Sequence, residues 1–244
     1  MNRPSPSPSS VSPVSSVIAS VSSLPDFDPR LVPVVGVDAH LPAVSGDQQT
    51  PQSLRGRFAH PPAWEPEVVL EKKFMDRESA HASVLLAIVM REQPMVLLTE
   101  RTAHLSTHSG QVAFPGGRAD PEDATPADTA LREAQEEVGL APEFVEVLGN
   151  LATYVTGSSF IITPVVALVR PDCVLTPNPY EVADIFEVPL AFLLNPANHR
   201  RHVFDRDGVY REWFSMPYQD GPKSHFIWGA TAGMLRNFYR FMQA

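Results

Sequence analysis

The chain has 244 residues, a formal net charge of −9 and 43% hydrophobic residues, enough for one good-sized core and too little for two large ones. The negative balance and the lack of any basic block argue against general nucleic-acid binding, which depends on neutralising phosphates with clustered Lys and Arg. Cys173 is the single cysteine, which excludes an intrachain disulfide and a cysteine-rich zinc site and leaves a buried apolar thiol in a reducing compartment as the expectation.

From Met1 to about Ser53 the chain is rich in Pro, Ser and Val and poor in charge. Such a composition cannot offset chain entropy by burial, so a disordered tail over 1–53 is expected ahead of a domain over 54–244. Within the tail, "DFDPRLVPVV" carries Phe27, Leu31, Val34 and Val35 and is a candidate for a short element packed on the domain. Pro and Ser interrupt any apolar stretch near the start, against a secretory signal, and no later window approaches the ~18 apolar residues of a spanning helix. The expectation is a cytoplasmic protein without a membrane partner.

Next come "ASVLLAIVM" (Ala82 to Met90) and "MVLLTE" (Met95 to Glu100), split by "REQP", the grammar of a hairpin. Beyond a helix centred on Leu131, the runs "EVLGNLATYV", "ITPVVALV", "FEVPLAFLL" and "VYREWFSMPY" predict further strands between Pro and Gly breaks. "FIWGATAGMLRNFYRFM" repeats apolar residues at helical spacing, which predicts a closing helix packed on a sheet face. Together these elements imply the α/β class, a mixed β-sheet sandwiched between helices.

The helix carries the chemistry. At about 100° per residue, Ala127, Ala130, Leu131, Ala134 and Val138 form one apolar arc, and Glu133, Glu136 and Glu137 form a second beside it. Like charges three and four residues apart repel by a few tenths of a kcal/mol per pair, so a cation is expected among them. Glutamates without His or Cys suit a hard divalent ion such as magnesium, although a solvated acidic face is the other reading of such a cluster. Arg132 is one turn from Glu136 and is expected to hold a glutamate from the side. Pro126 and Asp128 fit a helix start, Gly139 a left-handed end, and Pro142 a stop. Upstream, Gly116 and Gly117 permit close backbone approach to a ligand or ion.

The segment "GGRADPEDATPADTALREAQEEVGL" resembles a Nudix box, with a full match at Arg132, Glu133, Ala134, Glu136, Glu137, Gly139 and Leu140. Its first part departs from the pattern: Gly117 is one residue too far upstream, and Asp123 stands where counting forward would put the early glutamate. A box lengthened in this way is similar to that of the coenzyme A pyrophosphatase subgroup. So is "LLTERTAHLSTHSGQVAFPGG", in which Thr102 stands for a serine. The resemblance covers roughly Ser79 to the C-terminus.

What the resemblance implies is a Nudix fold and a Mg2+- or Mn2+-dependent hydrolase that splits the diphosphate of coenzyme A or acyl-coenzyme A. Glu133 and Glu137 would be the principal metal ligands, Glu136 a third ligand or a supporting carboxylate, and the Gly116 or Gly117 carbonyl a further contact. Arg132 would be a positioning residue. The general base would come either from the helix or from a later loop, where Glu181 is the candidate beside the alternative of an exposed carboxylate. For a coenzyme A pocket away from the metals, Arg101 and His108 offer positive or hydrogen-bonding groups, each with a structural alternative, and Gln111 either meets substrate or satisfies loop backbone. His199 and His202 are expected as exposed loop histidines rather than a metal pair. Another Nudix specificity, such as ADP-ribose or NADH, and a non-catalytic nucleotide-binding module stay open, as does a homodimer.

Overall fold

The computed structural model describes residues 28–71, 78–102, 110–206 and 209–244. In chain order its elements are β1 (Val34–Val37), α1 (Pro51–Ala59), β2 (Ala80–Met90), β3 (Pro94–Arg101), β4 (Val112–Ala113), β5 (Gly116–Arg118), α2 (Pro126–Val138), β6 (Val145–Asn150) and β7 (Tyr154–Val155). There follow β8 (Phe160–Val169), β9 (Val182–Pro189), α3 (Leu190–Leu193), β10 (Arg200–Arg206), β11 (Val209–Asp220), β12 (Lys223–Trp228) and α4 (Gly229–Gln243).

Strands β2 to β9 make a mixed sheet in which β2 pairs antiparallel with β3 and parallel with β8. The expected hairpin is present, with Met90 opposite Pro94. Its strands are apolar on both faces because both faces are covered. Leu85, Ala87, Val89 and Leu97 pack with Ala130, Ala134 and Val138 of α2, whereas Leu86, Ile88, Val96 and Leu98 belong to the core with Leu235 and Phe238 of α4. This is the anticipated mixed sheet between helices. Helix α4 is buried along nearly its whole length, its polar Arg236 and Asn237 included.

A second sheet, β1-β10-β11-β12, adds Phe214, Met216 and Ile227 to the α4 core. Its strand β10, "RRHVFDR", was expected as loop. Pairing with β1 on one side and β11 on the other makes it a strand despite its charge. His199 and His202 are consequently buried, not exposed: the His199 ring meets the Leu193 carbonyl at 2.8 Å and the Arg236 guanidinium at 3.2 Å, and His202 meets Ser215 Oγ at 2.8 Å.

Upstream of Ser53, a 3-10 turn over Pro29–Leu31 is capped by Asp28, β1 adds to the second sheet, and Val44 enters the core. The anticipated element around "RLVPVV" exists, but Leu31, Val34 and Val35 are largely exposed, so backbone pairing at a sheet edge rather than side-chain burial attaches it. The disorder expected over 1–27 lies outside the described residues. Cys173 is half-buried, and burial pushes its thiol above the ordinary range.

Candidate active site

Helix α2 is set by local signals. Thr125 and Asp128 exchange capping-box hydrogen bonds, Pro126 occupies the first turn, and Gly139 closes the helix in the left-handed conformation at φ 68°. Burial of Ala130, Ala134 and Val138 against the sheet fixes the helix rotation, and Glu137 is carried inward with them until it is only 3% exposed.

Glu137 is held by two groups. The Gly116 N–H donates to Oε2 at 3.1 Å, and Arg101 Nη1, from the end of β3, lies 3.5 Å from Oε1. Even so, burial pushes the carboxyl up to about 7, with repulsion from Glu133 and Glu181 adding to the effect. Glu133 is displaced upward too, chiefly by burial, although Arg132 donates to its Oε1 at 2.9 Å. Two carboxylates are thus kept in a place that penalises their charge.

The glycines expected to approach a ligand do approach these carboxylates. A Cβ on Gly117 would stand 2.5 Å from the Glu133 carboxyl carbon and from both its oxygens. At Gly116, φ is 156° and a Cβ would meet Ser83 O at 2.5 Å, so only glycine brings this backbone close enough to β2 for its amide to reach Glu137.

Arg132 binds Asp123 in a fork, Nε to Oδ1 at 3.1 Å and Nη2 to Oδ2 at 2.8 Å, and also donates to the Arg118 carbonyl. The Arg132 guanidinium holds Asp123 well below the usual carboxylate range. Asp123, at the irregular position of the box, therefore anchors the arginine and ties the loop to the helix. That role was missed in the sequence; an acidic residue nine before an arginine gives little signal of it.

Glu136 lies apart from the other two helix glutamates. Its side chain is 58% exposed and its carboxylate meets Arg132 at 3.4 Å, so the three helix carboxylates do not converge. The reason is geometric: Glu133 and Glu137 turn toward the sheet, while Glu136 lies at the solvent edge and is drawn to the arginine.

The loop before β9 completes the site. Asn178 N–H donates to the Glu137 carbonyl at 2.8 Å, Thr176 N–H to the Val138 carbonyl, and Thr102 N–H to the Glu181 carbonyl at 2.9 Å. The Thr102 hydroxyl donates to the Tyr180 carbonyl, a bond that serine could also make. These ties stitch the loop to the ends of α2 and β3 and bring the Glu181 carboxylate near enough to repel Glu133 and Glu137. Among the described residues its side chain accepts from Asn178 Nδ2, at 3.4 Å.

Arg101 is placed at the carboxylates, and its Nε is buried without a hydrogen-bond partner among the described residues. The Gln111 main-chain carbonyl accepts the Arg101 N–H at 3.0 Å. His108 lies outside the described residues.

A model of the family "NUDIX domain" matches residues 80–212. The chain belongs to the Nudix family. Among its relatives, "Uncharacterized Nudix hydrolase NudL" of Yersinia enterocolitica is 44% identical over 162 residues, covering 65% of this chain and 79% of the relative. The protein of that name from Photorhabdus laumondii is 42% identical, covering 70% of this chain and 89% of its own. A solved Nudix hydrolase from M. smegmatis, RenU, has 29% identity and a TM-score of 0.37, covering 47% of this chain and 71% of that one. Nudix hydrolases generally use divalent metals, and the buried pair here fits one: Glu133 and Glu137 offer oxygen donors only, and Gly117 leaves clear the space that a Cβ would fill beside Glu133. Among the described residues no helix is long and apolar enough to cross a membrane.

Proposed function

We propose that the protein hydrolyses the diphosphate of coenzyme A or acyl-coenzyme A, releasing adenosine 3′,5′-bisphosphate and 4′-phosphopantetheine or its acyl derivative. The observation that carries the hydrolytic reading is the buried Glu137 carboxylate, clamped between the Gly116 amide and Arg101 beside Glu133 and Glu181. Support for coenzyme A comes from "LLTERTAHLSTHSGQVAFPGG", the long upstream signature that accompanies the lengthened box.

The chemistry supplied by a magnesium or manganese ion bound here is neutralisation of phosphoryl charge and activation of water. Glu133 and Glu137 would hold it. Arg101 offers its unpaired Nε and its outer nitrogens to the diphosphate, where charge spreads over phosphoryl oxygens as the bond to the leaving phosphate breaks. Glu181 has no guanidinium partner among the described residues and is the carboxylate freest to take the proton from the attacking water. Arg132 positions Glu133 and stays bound to Asp123 throughout.

Chromatography of products after incubation with magnesium and, in parallel, coenzyme A, ADP-ribose and NADH tests the reading. Adenosine 3′,5′-bisphosphate should accumulate from coenzyme A, and Glu137→Gln should lower turnover by two or more orders of magnitude while leaving the circular dichroism spectrum unchanged. Turnover of ADP-ribose or NADH with coenzyme A untouched would replace the substrate. Unimpaired turnover by Glu137→Gln would remove the site.

A further inference from the structure

The sheet face that points away from α2 assembles three ligating side chains that the diphosphate chemistry does not use. Glu100 of β3 and Asp184 of β9 are directly opposite each other in the strand register, on the face that also carries Leu98 and Phe186. His225 of β12 reaches them from the second sheet. Its ring stacks on Phe186, with centroids 3.6 Å apart and planes at 10°, and its side chain is only 1% exposed. Nδ1 is 3.7 Å from Glu100 Oε2, and neither ring nitrogen has a hydrogen-bond partner among the described residues. One ligand atom from each of the three residues lies within 4.8 Å of the others, the only such trio of His, Cys, Asp or Glu among the described residues.

Two features of this cluster are unfavourable as they stand. Like charges directly opposite on neighbouring strands repel, and a buried polar group left without a partner forfeits its hydration uncompensated. Lys223 pairs with Asp184 from the surface at 3.0 Å and acts on Glu100 by charge at longer range, but it leaves the imidazole without a hydrogen bond among the described residues. A single cation ligated by the imidazole and the carboxylates answers both problems. Magnesium favours all-oxygen sets, whereas one imidazole with carboxylates suits zinc. Tetrahedral zinc with bonds of about 2.0–2.1 Å needs ligand atoms about 3.4 Å apart, a closure that rotation of the flexible Glu100 and Asp184 side chains supplies. A cleft of about 810 Å³, lined in part by Asp184, Phe186 and Lys223, opens beside the cluster and gives an ion a way in.

We infer that Glu100, Asp184 and His225 form a zinc site that clamps the two sheets together, separate from the oxygen-only carboxylates of the Nudix helix. Glu100 and Arg101 are neighbours on β3 with side chains on opposite faces, so the two sites share a strand and no ligand.

The test uses the full chain carrying Glu133→Gln and Glu137→Gln, which silences the helix carboxylates, stripped of metal and titrated with zinc by calorimetry. One zinc per chain should bind, the melting temperature should rise with zinc and not with magnesium, and both Asp184→Asn and His225→Gln should weaken zinc binding at least tenfold. Because His225 is packed on Phe186 and its replacement can unsettle the fold, the partly exposed Asp184→Asn decides the matter. Absence of stoichiometric zinc binding would overturn the inference. So would zinc binding unchanged in Asp184→Asn.

Discussion

Glu137 shows what the site costs the molecule. Its carboxyl is pushed up to about 7 from an ordinary 4.5, so between these pH values the folded chain keeps a proton that the unfolded chain has released. Its contribution to stability is therefore complete below pH 4.5 and is lost as the pH rises through 7. In metal-free protein at pH 8, Glu137→Gln should stabilise the fold by on the order of 1–3 kcal/mol in urea denaturation, even as it removes activity. Equal or lower stability would show that Arg101 and the Gly116 amide already compensate the charge. Arg101 invites a second substitution. It faces Glu137 at 3.5 Å, so on the proposed function it would meet the diphosphate, and Arg101→Ala should then lower kcat/KM for coenzyme A and for 3′-dephospho-coenzyme A by similar factors, roughly 10- to 100-fold. A loss confined to coenzyme A would return Arg101 to recognition of the 3′-phosphate.

Among the elements, α2 and β10 mark the two extremes of what local sequence reveals. The cap, apolar stripe and terminal glycine of α2 lie within one short segment and act on each other, so its position could be read without any knowledge of the rest. Strand β10 has no such signature. His202 within it and His199 just before it are buried by the flanking strands and by α4, and burial, aided by Arg236, lowers His199 to about 4 from 6.5. Here the unfolded chain takes up a proton between pH 6.5 and 4 that the folded chain refuses, so stability is present above 6.5 and is lost as the pH falls toward 4. The midpoint of urea unfolding should drop from pH 7 to pH 4.5 more steeply in the native chain than in His199→Gln, by an amount worth about 2–3 kcal/mol. Parallel profiles would assign the acid sensitivity to the carboxylates instead.

The whole molecule extends further toward its N-terminus than composition suggests. Asp38 is buried and pairs with Arg201 at 2.8 Å and Arg236 at 3.0 Å, while Glu67 pairs with the same two arginines at 2.7 Å. Arg236, on α4, is itself almost fully buried, so removing Asp38 leaves guanidinium charge poorly compensated, a loss of roughly 3–5 kcal/mol. Burial of Val44 adds about 2 kcal/mol. A chain beginning at Asp28 retains all these contacts and should melt close to the intact protein. One beginning at Leu54 should lose several kcal/mol and unfold at markedly lower temperature. Equal melting of the two truncated chains would mean that residues 28–53 add nothing to stability.

What the sequence by itself determined is the chemistry carried at short range: the hairpin of β2 and β3, the capped helix with Glu133 and Glu137, and the glycines that stand against their carboxylates. Helical and strand periodicity express these within one or two turns of chain, where burial and capping depend on near neighbours. Only the tertiary structure decided that Glu136 faces solvent and Arg101 faces Glu137, that Asp123 anchors Arg132, and that Glu100, Asp184 and His225 meet. Each of those outcomes depends on how a helix rotates on its sheet or on which strands become neighbours, and that is settled by the packing of segments far apart in the chain.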